Sequence, residues 1–363
     1  MKRKKTVFLT GATGLLGSYL LKILLENGHK VYALARRQKD KSAKDRVLDI
    51  LRFWDYEVLE NANKLIVLEG DITKKDLGLN KQTIELLQDE IEEVFHCAAA
   101  TEFNWPLEKL RRVNVGGTKH TLDFALMCKG LRKVNYISTA YIIGDKKHTN
   151  FKENMLDLGQ KFNNNYEQSK FEAELLVKKH QERKMKISIF RLSMVISDFK
   201  EGKIPRLMAF YIPLHFIAQG IYDLFPGNLK SFQNLINVDI AAEAIVLLAA
   251  LEEEGVYHVV SPSETTIDFF MKTASDYFGF KLPKFIPVEK FNFNKLTPTQ
   301  KYIAEPYISY FNYTTRFSSA KTRKVLKKHG FEYPEIDKDN LIRAFKYCKK
   351  IGFINSNFDR IKR

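Results

Sequence analysis

The chain has 363 residues, 45% hydrophobic and 28% charged, a balance that suits one large core with a smaller appended lobe and excludes a disordered or low-complexity polymer. Its three cysteines, Cys97, Cys128 and Cys348, lie far apart with no partner at metal-ligand spacing. They exclude a disulfide framework and point to a reducing, cytoplasmic setting. The formal charge of +16 is uneven, since residues 281–363 hold 19 Lys/Arg against 7 Asp/Glu. That field suits a solvated surface or attraction to an acidic partner equally, and no nucleic-acid-reading motif accompanies it.

The opening MKRKK followed by TVFLTGATGLLGSYLLKILL imitates a signal peptide. Three glycines at fixed spacing, Lys22 within the apolar run and the lack of a small-residue cleavage site suit strand, turn and helix better. Thr6–Thr10 reads as the first strand, and 18–27 as a helix carrying Leu20, Leu21, Leu24 and Leu25 on one side and stopped by Gly28. Between them Gly11, Gly14 and Gly17 form GxxGxxG. Gly11 serves the sharp turn, Gly14 lets backbone approach a pyrophosphate, and Gly17 permits close helix-on-strand packing, while the free N–H groups of the helix start face phosphate. Thr13, Leu15 and Leu16 belong to the same cofactor turn.

A second strand is predicted over 31–35 and ends in ARRQ rather than in the carboxylate that receives the ribose hydroxyls of NAD. Arg36 and Arg37 would pair with the extra phosphate of NADP. Asp71, in EGDIT after a strand at 65–68, is placed to accept from an adenine amino group, with Ile72 beneath the ring; a turn-capping Asp is the other reading. Further strands are predicted at 93–97, 134–138 and 187–191, with helical stretches between them. The alternation gives an α/β fold, a doubly wound parallel sheet of Rossmann type.

Residues 1–200, with 234–262 returning, are expected to form the NADP-binding domain, and 201–233 with 263–363 the substrate lobe. The apolar run 209–225 is interrupted by Pro213, His215, Gln219 and Asp223, so no membrane span is predicted. Its aromatic and aliphatic residues suit an acyl chain, a core or an interface alike. Tyr166 and Lys170, four apart, share one helix face and can converge on one reacting oxygen. An adjacent ammonium favours the phenolate, so Lys170 is expected to lower the Tyr166 pKa.

The motifs GATGLLG, GDIT, HCAAAT, NVGGT, YISTAYIIG, YEQSK and INVDIAAEAI follow one another in that order. By them the sequence resembles the extended short-chain dehydrogenase/reductase superfamily over nearly its whole length. Within it the chain is most similar to thioester reductase domains and fatty acyl-CoA reductases, of the male-sterility type, through SAKDRVLDILRFW, GDITKKDLGL and HCAAATEFNWPLEKLRRVNVGGT. The resemblance implies that Ala98 and Ala99 line the cofactor. It implies that Asn114 holds a helix kink or supports the lysine, that Thr139 is the catalytic hydroxyl with Ser138 beside it, and that Leu192 and Met194 touch the cofactor. FRLSMVISD departs from the Arg-Pro and later Gly common in relatives, which puts the last two contacts in doubt.

The function implied is reduction of an acyl thioester, on coenzyme A or an acidic acyl-carrier protein, by NADPH to aldehyde or alcohol. A nucleotide-sugar epimerase or dehydratase, a hydroxysteroid-like dehydrogenase and a non-catalytic NADP-binding module are the alternatives. Peripheral membrane contact through the basic C-terminal lobe would accompany a lipid substrate.

Overall fold

The computed structural model describes residues 3–57, 63–147, 150–182, 185–208, 210–251 and 253–354. Ala209, at the head of the aromatic stretch, and residues 355–363 of the expected lobe lie outside the described residues.

Seven strands rich in Val, Ile, Phe and Leu form one parallel sheet: β1 (Thr6–Thr10), β2 (Lys30–Ala35), β3 (Leu65–Glu69), β4 (Glu93–His96), β5 (Lys133–Thr139), β6 (Ile187–Leu192) and β7 (Val256–Val259). Their order is β7-β6-β5-β4-β1-β2-β3. The chain starts in the middle, winds outward to β3, then returns past β1 to β4, so the crevice between β1 and β4 is the switch point where such sheets bind ligands. Six strands match the sequence expectation to within a residue or two. The seventh, VYHV, pairs with β6 in parallel.

Both faces of the sheet are buried, as crossover connections require. On one face Val7, Leu9 and Phe190 pack against Leu20 and Leu24 of α1 (Leu15–Glu26) and Ile245 of the helix Val238–Ala249. On the other, Phe8, Val94 and Ile189 meet Leu87 of α3 (Lys81–Glu90), Phe124 of α4 (Gly117–Met127) and Val177 of α5 (Asn165–Glu182). The insertion between β2 and β3 forms α2 (Ala43–Phe53), capped by Ser42 accepting from the Asp45 backbone N–H.

A third core gathers Tyr211, Leu214, Phe225, Phe270, Phe311 and Phe345. The stretch after Ala209 therefore spends its apolar side chains on packing, with helix Tyr211–Ala218 burying Tyr211, Pro213, Leu214, Ile217 and Ala218. Residues 263–363 are not all lobe. Leu326 of helix Ala320–Lys328 packs into the sheet core that also holds Ile245 and Tyr257, because its apolar side finds β7 as a cover for the outer edge. Among the described residues no helix is long and apolar enough to cross a membrane.

Candidate active site

The C-terminal ends of β1, β4, β5 and β6 meet at one edge, and the predicted residues sit there. Gly11 has φ +78, and a Cβ on it would stand 2.6 Å from the Ala98 nitrogen. A Cβ on Gly17 would lie 2.1 Å from the Gly11 carbonyl oxygen, so the helix starts against the turn itself. Gly14, exposed at the N-cap of α1, has no side-chain cap, and the first turn of α1 carries no acidic residue. The helix start is thus left bare for an anion. Leu16 is buried, whereas Thr13, Leu15 and Ala98 are half-buried and Ala99 exposed at the crevice. This cradle fits a dinucleotide: Gly11 and Gly17 are sterically required, and a Cβ on Gly14 would stand a tight 3.3 Å from the Gly11 carbonyl oxygen.

At the end of β2 the two arginines part. Arg37 pairs with Glu69 at 3.0 Å, which corrects the expectation that both await a phosphate. Arg36 stays exposed, and Arg46 of α2 reaches back to donate to the Arg36 carbonyl at 2.6 Å and to Thr13 Oγ1 at 3.3 Å. Among the described residues neither Arg36 nor Arg46 has a carboxylate partner. Burial, then the Arg36 charge, lowers the Arg46 pKa. Sequence reasoning missed Arg46; its only signal was a cation on the helix that follows β2.

Asp71 Oδ1 accepts from the Thr73 N–H and hydroxyl, each at 2.9 Å, so it caps a turn while lying beside the crevice. Ile72 is buried against Gly117, where an added Cβ would come within 2.5 Å of its Cδ1.

Thr139 ends β5, its hydroxyl donating to the Leu192 carbonyl at 3.1 Å. Tyr166 opens α5 close by. Burial raises the Tyr166 pKa, Glu167 and Cys97 add to the rise, and the Thr139 hydroxyl opposes it. The phenol therefore holds its proton, contrary to the expectation that Lys170 lowers its pKa. The reason is geometric: the Lys170 ammonium, 3% exposed, donates to Tyr136 OH at 3.0 Å and to the Ile137 carbonyl at 2.7 Å. Burial brings its pKa down to about 8, with Cys97 and Glu174 opposing.

Asn114 lies in a π-helical turn, Arg112–Gly116, where its side chain holds both backbone groups of Ala100 at 2.7 and 3.0 Å and donates to Ser169 Oγ at 2.9 Å. It fixes the kink and does not touch Lys170. Ser138 is not gathered with Tyr166. Its hydroxyl donates to Glu174 at 2.5 Å, part of a buried pair with Arg191 at 2.6 Å. Leu192 and Met194 are buried, and Met194 belongs to the lobe core, so packing takes side chains that were expected to face the cofactor.

Phe103 joins Tyr166 to aromatic residues of the lobe, none of which sequence reasoning singled out. Phe103 lies 5.8 Å from the Tyr166 ring, 5.7 Å from Tyr307 and 5.4 Å from Tyr310, the last pair stacked. Tyr310 OH donates to Glu167 at 2.8 Å. A contact of such sequence separation leaves no local signal.

Residues 9–245 match the family described as male sterility protein, an NAD-binding domain. The chain is 24% identical to a linear gramicidin synthase of Brevibacillus parabrevis, covering 96% of this chain and 7% of that one. It is 28% identical to a carboxylic acid reductase of Segniliparus rugosus (70% and 24% covered) and 34% identical to fatty acyl-CoA reductase 1 of Rattus norvegicus (40% and 30% covered). The chain thus spans less than a third of each of these relatives. Among solved structures, the terminal R domain of the myxalamid PKS-NRPS pathway superposes with a TM-score of 0.85 at 23% identity, covering 96% of this chain and 92% of that one. A thiolation-reductase di-domain from an archaeal non-ribosomal peptide synthetase gives 0.79 at 22%, with 97% and 77% covered. With the matched segment spanning the whole nucleotide crevice and Tyr166, the chain belongs to the male sterility protein family, NAD(P)-dependent oxidoreductases of the extended short-chain dehydrogenase/reductase type.

Proposed function

We propose that the chain reduces an acyl thioester with NADPH to an aldehyde or alcohol. The observation that carries this reading is the meeting of Thr139 with a protonated Tyr166 beside a bare glycine turn. Bound there, a dihydronicotinamide supplies hydride for the carbonyl carbon. Thr139 and Tyr166 hold the carbonyl oxygen, and Tyr166 gives up its proton as negative charge builds there. Lys170, held by Tyr136 and the Ile137 carbonyl, would offer its remaining N–H to a ribose hydroxyl of the bound cofactor. The hemithioacetal so formed releases its thiol and leaves the aldehyde.

Arg36 and Arg46, two adjacent guanidiniums without a carboxylate, fit a ribose phosphate and support NADP over NAD. Asp71 and Ile72 would flank the adenine. Phe103, Tyr307 and Tyr310 suit an apolar acyl group. The relatives that are fatty acyl-CoA reductase or contain thiolation domains support coenzyme A or a carrier protein as donor, and the basic charge of residues 281–363 suits either. Three free cysteines fit a cytoplasmic setting.

The test is NADPH oxidation, with NADH in parallel, against acyl-CoA and acyl-carrier-protein thioesters, nucleotide sugars and hydroxysteroids. Thioester-dependent oxidation that Tyr166→Phe abolishes without loss of NADPH binding is expected. Turnover of a nucleotide sugar or steroid alone would move the reading to the alternatives.

A further inference from the structure

The catalytic lysine is held from behind by groups for which the proposed reaction has no use. Lys170 Nζ lies 4.5 Å from the Tyr136 ring centroid as well as 3.0 Å from its hydroxyl. Tyr136 is buried in β5, its phenol kept protonated by burial, with the Thr118 hydroxyl opposing that rise. Thr118 Oγ1 donates to the Asn114 carbonyl at 2.6 Å and meets His96 Nε2 at 3.0 Å; His96 Nδ1 meets Thr10 Oγ1 at 2.8 Å; and Thr10 Oγ1 accepts from the Ala98 N–H at 3.2 Å.

One assignment of hydrogens satisfies these contacts. Ala98 N–H donates to Thr10, whose hydroxyl donates to His96 Nδ1. His96 Nε2–H donates to Thr118, which donates to Asn114, and Tyr136 OH accepts from Lys170. His96 must be neutral in this scheme, and burial with the nearby Lys170 charge pushes its pKa down to about 3. The chain ends on Thr10 at the glycine turn, Ala98 at the crevice and Asn114 in the π-helical turn, so it ties the ammonium to three loops of the cofactor cradle.

We propose that Tyr136 is a positioning residue for Lys170: its hydroxyl, oriented by Thr118 and His96, keeps the ammonium charged and aimed at the cofactor side of the sheet. The role of Lys170 in turnover rests on the function proposed above; the hold on its charge does not. The groups around the ammonium are His96 from β4 and Cys97 just after it, Tyr136 and the Ile137 carbonyl from β5, and Glu174 from its own helix, itself paired with Arg191. Of these, Tyr136 alone among the described side chains makes a hydrogen bond to Nζ. Its removal takes away a contact that is stronger for the charged form than for the neutral amine, so the lysine pKa should fall.

The test is an NMR titration of carbon-13-labelled lysine in the unaltered chain, Tyr136→Phe and Thr118→Val, with Lys170→Arg identifying the signal, followed by the pH profile of thioester reduction. The Lys170 midpoint is expected near 8 in the unaltered chain and about one unit lower in Tyr136→Phe, with a smaller shift in the same direction for Thr118→Val. The alkaline limb of kcat should move down with it while KM for the thioester holds. A midpoint that stays put in folded Tyr136→Phe overturns the proposal. If that variant does not fold, an unmoved midpoint in Thr118→Val overturns it equally. Because the titration needs no turnover, a lowered midpoint in a chain that reduces no thioester would sink the reductase reading and leave this inference standing.

Discussion

Arg46 shows how a single side chain turns a nucleotide crevice toward one cofactor. It places a second guanidinium beside Arg36 with no carboxylate between them, an arrangement that a phosphate relieves. Arg46→Ala should weaken NADPH binding by about 10- to 100-fold and leave NADH nearly unchanged, as read by fluorescence titration. Glu167 offers a second test. Burial raises its carboxyl to about 7 from the ordinary 4.5, against donors from Asn163 and Tyr310. A carboxyl raised in the folded state stabilises below its unfolded pKa, and that contribution is lost as pH rises from there through 7. Glu167→Gln cannot ionise, so its melting temperature should gain on the unaltered chain by about 2 °C between pH 6 and 8. Neither residue was legible in advance. Arg46 is one cation among several on an exposed helix, and Glu167 acquires its meaning only when Tyr310 folds over it.

The elements carry the site through the end of β5 and the pitch of α5. Thr139 closes the strand near Tyr166 at the start of α5, while Ser138, one residue back, donates to Glu174 two turns further along the same helix. On α5 the four-residue spacing brings Tyr166, Lys170 and Glu174 to the sheet in turn. Glu174 and Arg191 are 0% and 1% exposed as side chains, and Arg191 also donates to the Met155 carbonyl at 2.8 Å. Glu174→Ala should cost about 3–5 kcal/mol in chemical denaturation, since it strands a buried guanidinium. Ser138 and Thr139 were kept together because the partner of Ser138, Glu174, was not visible from the strand. Glu174 and Arg191 lie 17 residues apart, beyond the reach of any local pattern. The glycine turn was legible in full because its constraints are backbone sterics among Gly11, Gly17 and the neighbouring strand.

At the scale of the whole molecule, charge and cavities are distributed apart from one another. A cavity of about 810 Å³ opens at the N-terminal end of the sheet, far end from Thr139, with Lys5, His29, Glu93 and Lys133 in its wall. Two of its cations are engaged: Lys5 pairs with Glu93 at 2.7 Å, and Lys133 donates to the carbonyls of Leu251 and Glu253 past the end of helix Val238–Ala249. The remaining basic field is superficial, as on helix Ala320–Lys328, where Lys321, Arg323, Lys324, Lys327 and Lys328 are exposed. If this field draws in the donor, kcat/KM for an acyl-CoA should fall between about 50 and 300 mM salt more steeply than for an uncharged pantetheine thioester.

The seventh strand also bears on how the protein is made. β6, with every residue buried in the finished sheet, waits for β7 through the whole of the intervening lobe segment and the helix Val238–Ala249. A nascent chain halted between the two presents ISIFRL as an open, apolar edge to whatever other chains are near. Quality control in the cell would meet this protein first at that unfinished border.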